Sequence, residues 1–132
     1  MKKPTIAILG AGSWGTAVAI HLAKCGNRVL LWGHNPKHVQ DMAKQSYNQR
    51  YLPEIQFPDL LIPTQELQTC LEEADEVIVA VPSHAFAELL TKLTKPKHGL
   101  AWLTKGVDPL SHTLLSEIVA KHWGENYPIA II

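Results

Sequence analysis

The hexapeptide Gly10-Ala11-Gly12-Ser13-Trp14-Gly15 constrains the fold of this chain more than any other feature. It follows a short apolar, β-branched run over residues 5–9, which predicts a buried strand. It opens a stretch over residues 13–24 that predicts a helix, with Trp14, Val18 and Leu22 recurring every four residues. Gly26-Asn27 supplies a left-handed stop, and residues 29–32 form a second apolar run, too short for a helix. This is a βαβ unit, and G-x-G-x-x-G at its first turn is the dinucleotide fingerprint. Gly10 permits the tight turn, Gly12 lets the backbone approach a pyrophosphate, and Gly15 lets the helix pack on the sheet while its free amides face the anion.

The rest of the chain keeps the same alternation. Asn35-Pro36 predicts a capped helix over residues 36–46. Pro53, Pro58 and Pro63 make residues 47–64 mostly extended loop, with a short edge strand near 60–62. Leu67 and Leu71 suit a helix ending before Asp75, and residues 77–81 read as the strongest strand, closed by Pro82. Ser83 is expected to cap a helix with Phe86, Leu89, Leu90 and Leu93 on its apolar face, followed by a strand over residues 100–104. Ser111 is expected to cap a last helix carrying Leu114, Leu115, Ile118 and Val119, stopped by Gly124, before a sixth strand over residues 129–132. Strands alternating with helices predict an α/β fold, a Rossmann-type doubly wound parallel sheet in three α/β/α layers. Because the sequence runs out inside an apolar strand, we expect residues 1–132 to be the first domain of a longer protein.

Composition narrows the partners. Twelve Lys+Arg balance twelve Asp+Glu in 132 residues, so nothing in the net charge points to nucleic acid. No apolar run approaches the roughly 20 residues needed to cross a bilayer, and the apolar stretch after the lysines at the start is too short for a leader. The two cysteines, Cys25 and Cys70, are too isolated for a disulfide framework or a zinc site, which points to free thiols and a cytoplasmic setting. The seven histidines are spread singly, so most are expected at the surface and none as a metal ligand. Trp102 and Trp123 are expected to pack in or beside the core.

In a doubly wound sheet, ligands lie beyond the carboxyl ends of the strands where strand order reverses. Three loops should open there: residues 10–15, residues 81–83 with Pro82 near the nicotinamide position, and Lys105-Gly106. The end of the second strand carries Gly33, His34 and Asn35, where an NAD site usually has a carboxylate for the ribose hydroxyls. His34, with Asn35 and Lys37 nearby, can accept a 2′-phosphate that a carboxylate would repel, which favours NADPH over NADH. His34 as a plain turn residue is the alternative. Lys105 reads either as a solvated charge or, delivered to this rim by an apolar strand, as an anion-binding group.

Gly-Ala-Gly-Ser-Trp-Gly-Thr-Ala at residues 10–17, Leu31-Trp32, Asn48-Gln49-Arg50-Tyr51-Leu52-Pro53, Val81-Pro82-Ser83 and Lys105-Gly106 together resemble the N-terminal domain of bacterial NAD(P)-dependent glycerol-3-phosphate dehydrogenase. The resemblance covers the whole chain, and Asn-x-x-Tyr-Leu-Pro is its most specific part. It implies interconversion of dihydroxyacetone phosphate and sn-glycerol 3-phosphate for phospholipid synthesis. It also implies that Ser13, Trp14 and His34 contact NADPH and that Lys105 touches both cofactor and substrate.

The family's general acid/base lysine and most phosphate contacts belong to a helical second domain, which would follow residue 132 and through which the enzyme could form a homodimer. No catalytic acid/base is therefore assigned to this chain, and the chain alone is expected to be inactive. Thr64-Gln65 stands where the family often has Thr-Asp, a small departure. Two other readings share the fold: a hydroxy-acid or keto-acid reductase, and a non-catalytic nucleotide-sensing domain. The missing ribose-binding acid counts against the second.

Overall fold

Parallel strands covered on both faces need apolar side chains at every position, and the first two strands meet that demand. In the computed structural model, which describes residues 3–132, β1 (Ile6–Leu9) and β2 (Val29–Trp32) are buried throughout. Met1 and Lys2, part of the start weighed above as a leader, lie outside the described residues. The remaining elements alternate as expected: α1 (Ser13–Lys24), α2 (Pro36–Gln45), β3 (Leu61–Thr64), α3 (Leu67–Glu73), β4 (Glu76–Val79), α4 (Ser83–Lys92), β5 (Leu100–Trp102), α5 (Leu115–Trp123) and β6 (Ile129–Ile131). Among the described residues the strands form one sheet in the order β3-β2-β1-β4-β5-β6. Every ladder is parallel. Strand order reverses between β1 and β4, as the doubly wound expectation requires.

Alternate positions along each strand face opposite layers, so the sheet carries two cores. Ile6, Ile8, Val29 and Leu31 pack with Ala19, Ile20, Val39 and Met42 on the α1–α2 side. Ala7, Leu9, Val77 and Val79 pack with Phe86, Leu90, Trp102 and Val119 on the α4–α5 side. Trp102 is in the core as anticipated, and Trp123 packs beside it.

Several local expectations are corrected. Helix α1 turns Trp14 to solvent and leaves Val18 and Leu22 half-buried against the core. Its inward face is the offset set Gly15, Thr16, Ala19, Ile20 and Ala23, and Trp14 is largely exposed. The small side chains let the helix lie close to the sheet, where a stripe of large ones would hold it off. Ser83 is the first helical residue of α4 and not its cap. Pro82 takes the cap position, its ψ of 156° already extended, and no side chain completes it.

Ser111 does not cap α5 either. It is tied to Asp108 by its backbone N–H and hydroxyl, both at 2.8 Å, and His112 then takes a left-handed φ of 58° that delays the helix to Leu115. Leu114 is accordingly exposed. His38 is buried, unlike the other six histidines. The edge strand β3 runs slightly later than expected and contains Pro63, tolerated because β3 has a neighbour on one side only. Strands β4 and β5 end earlier than expected, so that Ala80, Val81, Leu103 and Thr104 become rim loop.

Both cysteines are free, and burial pushes the Cys70 thiol up to about 12. No helix among the described residues is long and apolar enough to cross a membrane.

Phe86 is fully buried and meets Trp102 edge-on, with ring centroids 5.3 Å apart. Truncating Phe86 to Ala should lower the unfolding free energy by about 3–5 kcal/mol. The denaturant midpoint would fall with the slope unchanged, and a midpoint near that of the wild type would show that the layer repacks.

Candidate functional site

The turn from β1 to α1 is built by contacts that admit no side chain. Gly10 has φ 130°, and a Cβ there would lie 2.7 Å from the carbonyl carbon of Ala80 at the end of β4. A Cβ on Gly15 would collide with the Gly10 carbonyl oxygen and reach 3.0 Å from the Ala80 Cβ. Gly12 differs from both, since nothing lies within 4 Å of where its Cβ would be. Two glycines thus close the turn against β4 and the first turn of α1. The third presents bare backbone to open space beside the uncapped N-terminus of α1, whose first turn holds no acidic residue.

The other loops meet this turn. At the end of β2, the Gly33 N–H donates to Thr64 O at 3.2 Å, and His34 stands exposed beyond it. Asn35 caps α2, its Oδ1 accepting the His38 N–H at 3.1 Å. After β4, Val81 O accepts a hydrogen bond from the Thr104 hydroxyl at 2.6 Å, so the Pro82 turn and the loop after β5 are joined beneath the rim. Lys105 lies exposed at the end of that loop, its ammonium donating to Ile132 O at 3.4 Å.

These loops enclose one cavity of about 580 Å³, within the usual range for small-molecule sites. All eight residues singled out on sequence, Gly10, Gly12, Ser13, Trp14, Gly15, His34, Pro82 and Lys105, line it. So do His38, Arg50 and Tyr51, which residue chemistry did not single out. Arg50 and Tyr51 come from the segment between α2 and β3, which crosses back over the cavity. Their only sequence signal is the Asn-x-x-Tyr-Leu-Pro tract. Arg50, Lys105 and two histidines line the cavity, and no described Asp or Glu does. The arrangement suits an elongated anion whose phosphates sit on the α1 amides. Among the described residues no three His, Cys, Asp or Glu side chains gather as metal ligands.

Beyond Lys105 the chain is pinned by Asp108. Its N–H donates to Thr113 O at 2.9 Å, and its carboxylate accepts from Ser111. The Ser111 backbone N–H foremost, and its hydroxyl next, hold the Asp108 carboxyl below the usual carboxylate range.

An open parallel sheet with a glycine turn at its switch point and a carboxylate-free cavity above it defines a Rossmann-type dinucleotide-binding domain. The family model for the NAD-dependent glycerol-3-phosphate dehydrogenase N-terminus matches residues 5–132, and the chain belongs to this NAD(P)-dependent family. It is 64% identical over its whole length to a glycerol-3-phosphate dehydrogenase [NAD(P)+] of Legionella pneumophila. It is 46% identical over 135 residues to one of Thioalkalivibrio sulfidiphilus. The chain spans 40% of the length of each of these relatives. A crystal structure of glycerol-3-phosphate dehydrogenase from Coxiella burnetii superposes with a TM-score of 0.90 at 42% identity, over 98% of this chain and 40% of that one.

Two outcomes follow from this geometry. Gly12→Ala should leave the thermal midpoint nearly unchanged, whereas Gly15→Ala should lower it by several degrees. Equal midpoints would contradict the packing described for the turn. The Asp108 hydrogen bonds stabilise the fold above the ordinary carboxylate value of about 3.9 and lose that effect as pH falls through the depressed folded value. Denaturation of Asp108→Asn against wild type across pH should therefore show a stability gap that is widest near neutrality and closes in acid. A gap independent of pH would refute the assignment.

Proposed function

We propose that this chain is the cofactor-binding domain of an enzyme that interconverts dihydroxyacetone phosphate and sn-glycerol 3-phosphate with NADPH or NADH. The observation that carries this reading is the cavity at the switch point, cationic and free of carboxylates, in a chain whose family is that of the glycerol-3-phosphate dehydrogenases. Family membership favours it over a hydroxy-acid or keto-acid reductase and over a nucleotide-sensing domain.

The residues fit a dinucleotide. Gly12 leaves the space that a pyrophosphate approaching the backbone requires, and Gly10 and Gly15 leave none, matching the division of labour in such turns. Ser13 and Trp14 stand exposed at the head of α1, where they would flank the cofactor's diphosphate. His34, with Arg50 on the facing segment, supplies positive or neutral character where the adenosine ribose would lie, which supports a preference for NADPH. Pro82 would border the nicotinamide. When bound, that cofactor supplies or accepts the hydride. Lys105 would hold the substrate close to it and offset the charge that develops on the alkoxide oxygen.

The proton is assigned to a lysine of a helical domain following this one, so that this domain alone is inactive. The same reading places the enzyme in the cytoplasm, its product serving as a phospholipid backbone, with dimerisation through the second domain. Leu110, Leu114, Ile129 and Ile131, exposed on or near the last helix and strand, would be the surface on which that domain packs.

Calorimetric titration of the folded chain should show NADPH binding more tightly than NADH. His34→Asp should weaken NADPH by about tenfold and leave NADH unchanged or improved. Equal loss for both cofactors would remove the case for a 2′-phosphate site. No binding of either to a folded chain would sink the cofactor reading itself.

A further inference from the structure

Asn48 is fully buried, and its side chain uses all four of its hydrogen-bonding positions. Its Nδ2 donates to Ala11 O at 3.0 Å and to Thr16 Oγ1 at 2.8 Å. Its Oδ1 accepts the Tyr51 N–H at 3.1 Å and lies 2.9 Å from His38 Nε2. Two of these partners are backbone groups with fixed roles, since a carbonyl can only accept and an amide N–H can only donate. They determine which way the Asn48 amide faces. Oδ1 then needs a donor from His38, which places a proton on Nε2.

Ala11 lies inside the glycine turn. The peptide unit joining it to Gly12 is planar and trans, so the Ala11 carbonyl and the Gly12 N–H point in opposite directions. By holding that carbonyl on the buried side, Asn48 turns the Gly12 N–H away from itself, at a residue where even an added Cβ would have no atom within 4 Å. A released carbonyl could rotate outward and present its negative end to an incoming phosphate. The same amide oxygen anchors the backbone of Tyr51, so the Arg50–Tyr51 wall and the glycine turn share one fixed point.

We infer that Asn48, oriented by His38, is a positioning residue for the dinucleotide site, setting the glycine-turn amide that receives the pyrophosphate. This rests on the proposed cofactor reading and goes beyond it, because Asn48 does not line the cavity and acts only through the groups it holds. An asparagine that merely satisfied the core would influence stability but would not discriminate between ligands.

The test is titration of the full chain, its folding checked by thermal unfolding, with NADPH and with adenosine 2′-monophosphate, which lacks the pyrophosphate. Asn48→Ala should weaken NADPH by about tenfold to a hundredfold and adenosine 2′-monophosphate, which feels only the loosened Arg50–Tyr51 wall, far less. Equal weakening of both ligands, or of neither, overturns the inference. Should Asn48→Ala not fold, His38→Leu and His38→Gln decide. Leucine should weaken NADPH selectively, and glutamine, whose amide can donate in place of Nε2, should restore it. Identical behaviour of that pair also overturns the inference. A folded wild-type chain that binds neither ligand overturns the cofactor reading and this inference with it, whereas wild-type binding with unaltered variants overturns this inference alone.

Discussion

The close approach of the β1–α1 turn to the end of β4 is the contact on which the rest depends. With Gly10 against Ala80, and Gly15 against both Gly10 and Ala80, the two central strands and the first helix meet without an intervening side chain. That approach sets α1 low on the sheet, which is why its inward face consists of alanine, threonine and glycine together with Ile20. It also brings the uncapped amides of α1 to the switch point, so a single packing constraint fixes both the architecture and the place where an anion can bind.

How much of this could be read beforehand varies with the range of the interactions involved. The buried parallel strands announce themselves, since Ile6–Leu9 and Val29–Trp32 are continuous apolar runs and nothing else of that length fits them. The glycine turn is equally plain, because its chemistry is local. The large residues of α1 show its periodicity but only flank its contact with the sheet, Val18 and Leu22 half-buried and Trp14 exposed, because the helix is docked by its small ones. Neither Ser83 nor Ser111 caps its helix because a neighbour intervenes: Asp108 engages the Ser111 hydroxyl, and Pro82 occupies the position ahead of Ser83. The wall made by Arg50 and Tyr51 lies in a proline-punctuated segment with no period. Asn48 reaches its Ala11 partner across 37 residues, a pairing that no local pattern encodes.

Charge provides a similar lesson at another scale. The chain is formally neutral, which argues against a polyanion spread over its surface. The described cavity nonetheless gathers Arg50 and Lys105 without a single carboxylate. Composition reports the sum of the charges, and the fold determines how they are sorted. A small phosphorylated ligand experiences only the sorted result.

The sheet order has a consequence for the birth of the protein. Chains emerge N-terminus first, and β1 finds β2 early, but its other neighbour comes much later: the Thr5 N–H meets the Asp75 carboxylate across 70 residues. Until β4 leaves the ribosome, the glycine turn has no Ala80 to close upon, and β1 keeps one edge bare. The ligand cradle is therefore among the last parts of the domain to take shape during synthesis. A dinucleotide bound at that turn would steady the finished sheet but would find nothing to hold in its first half.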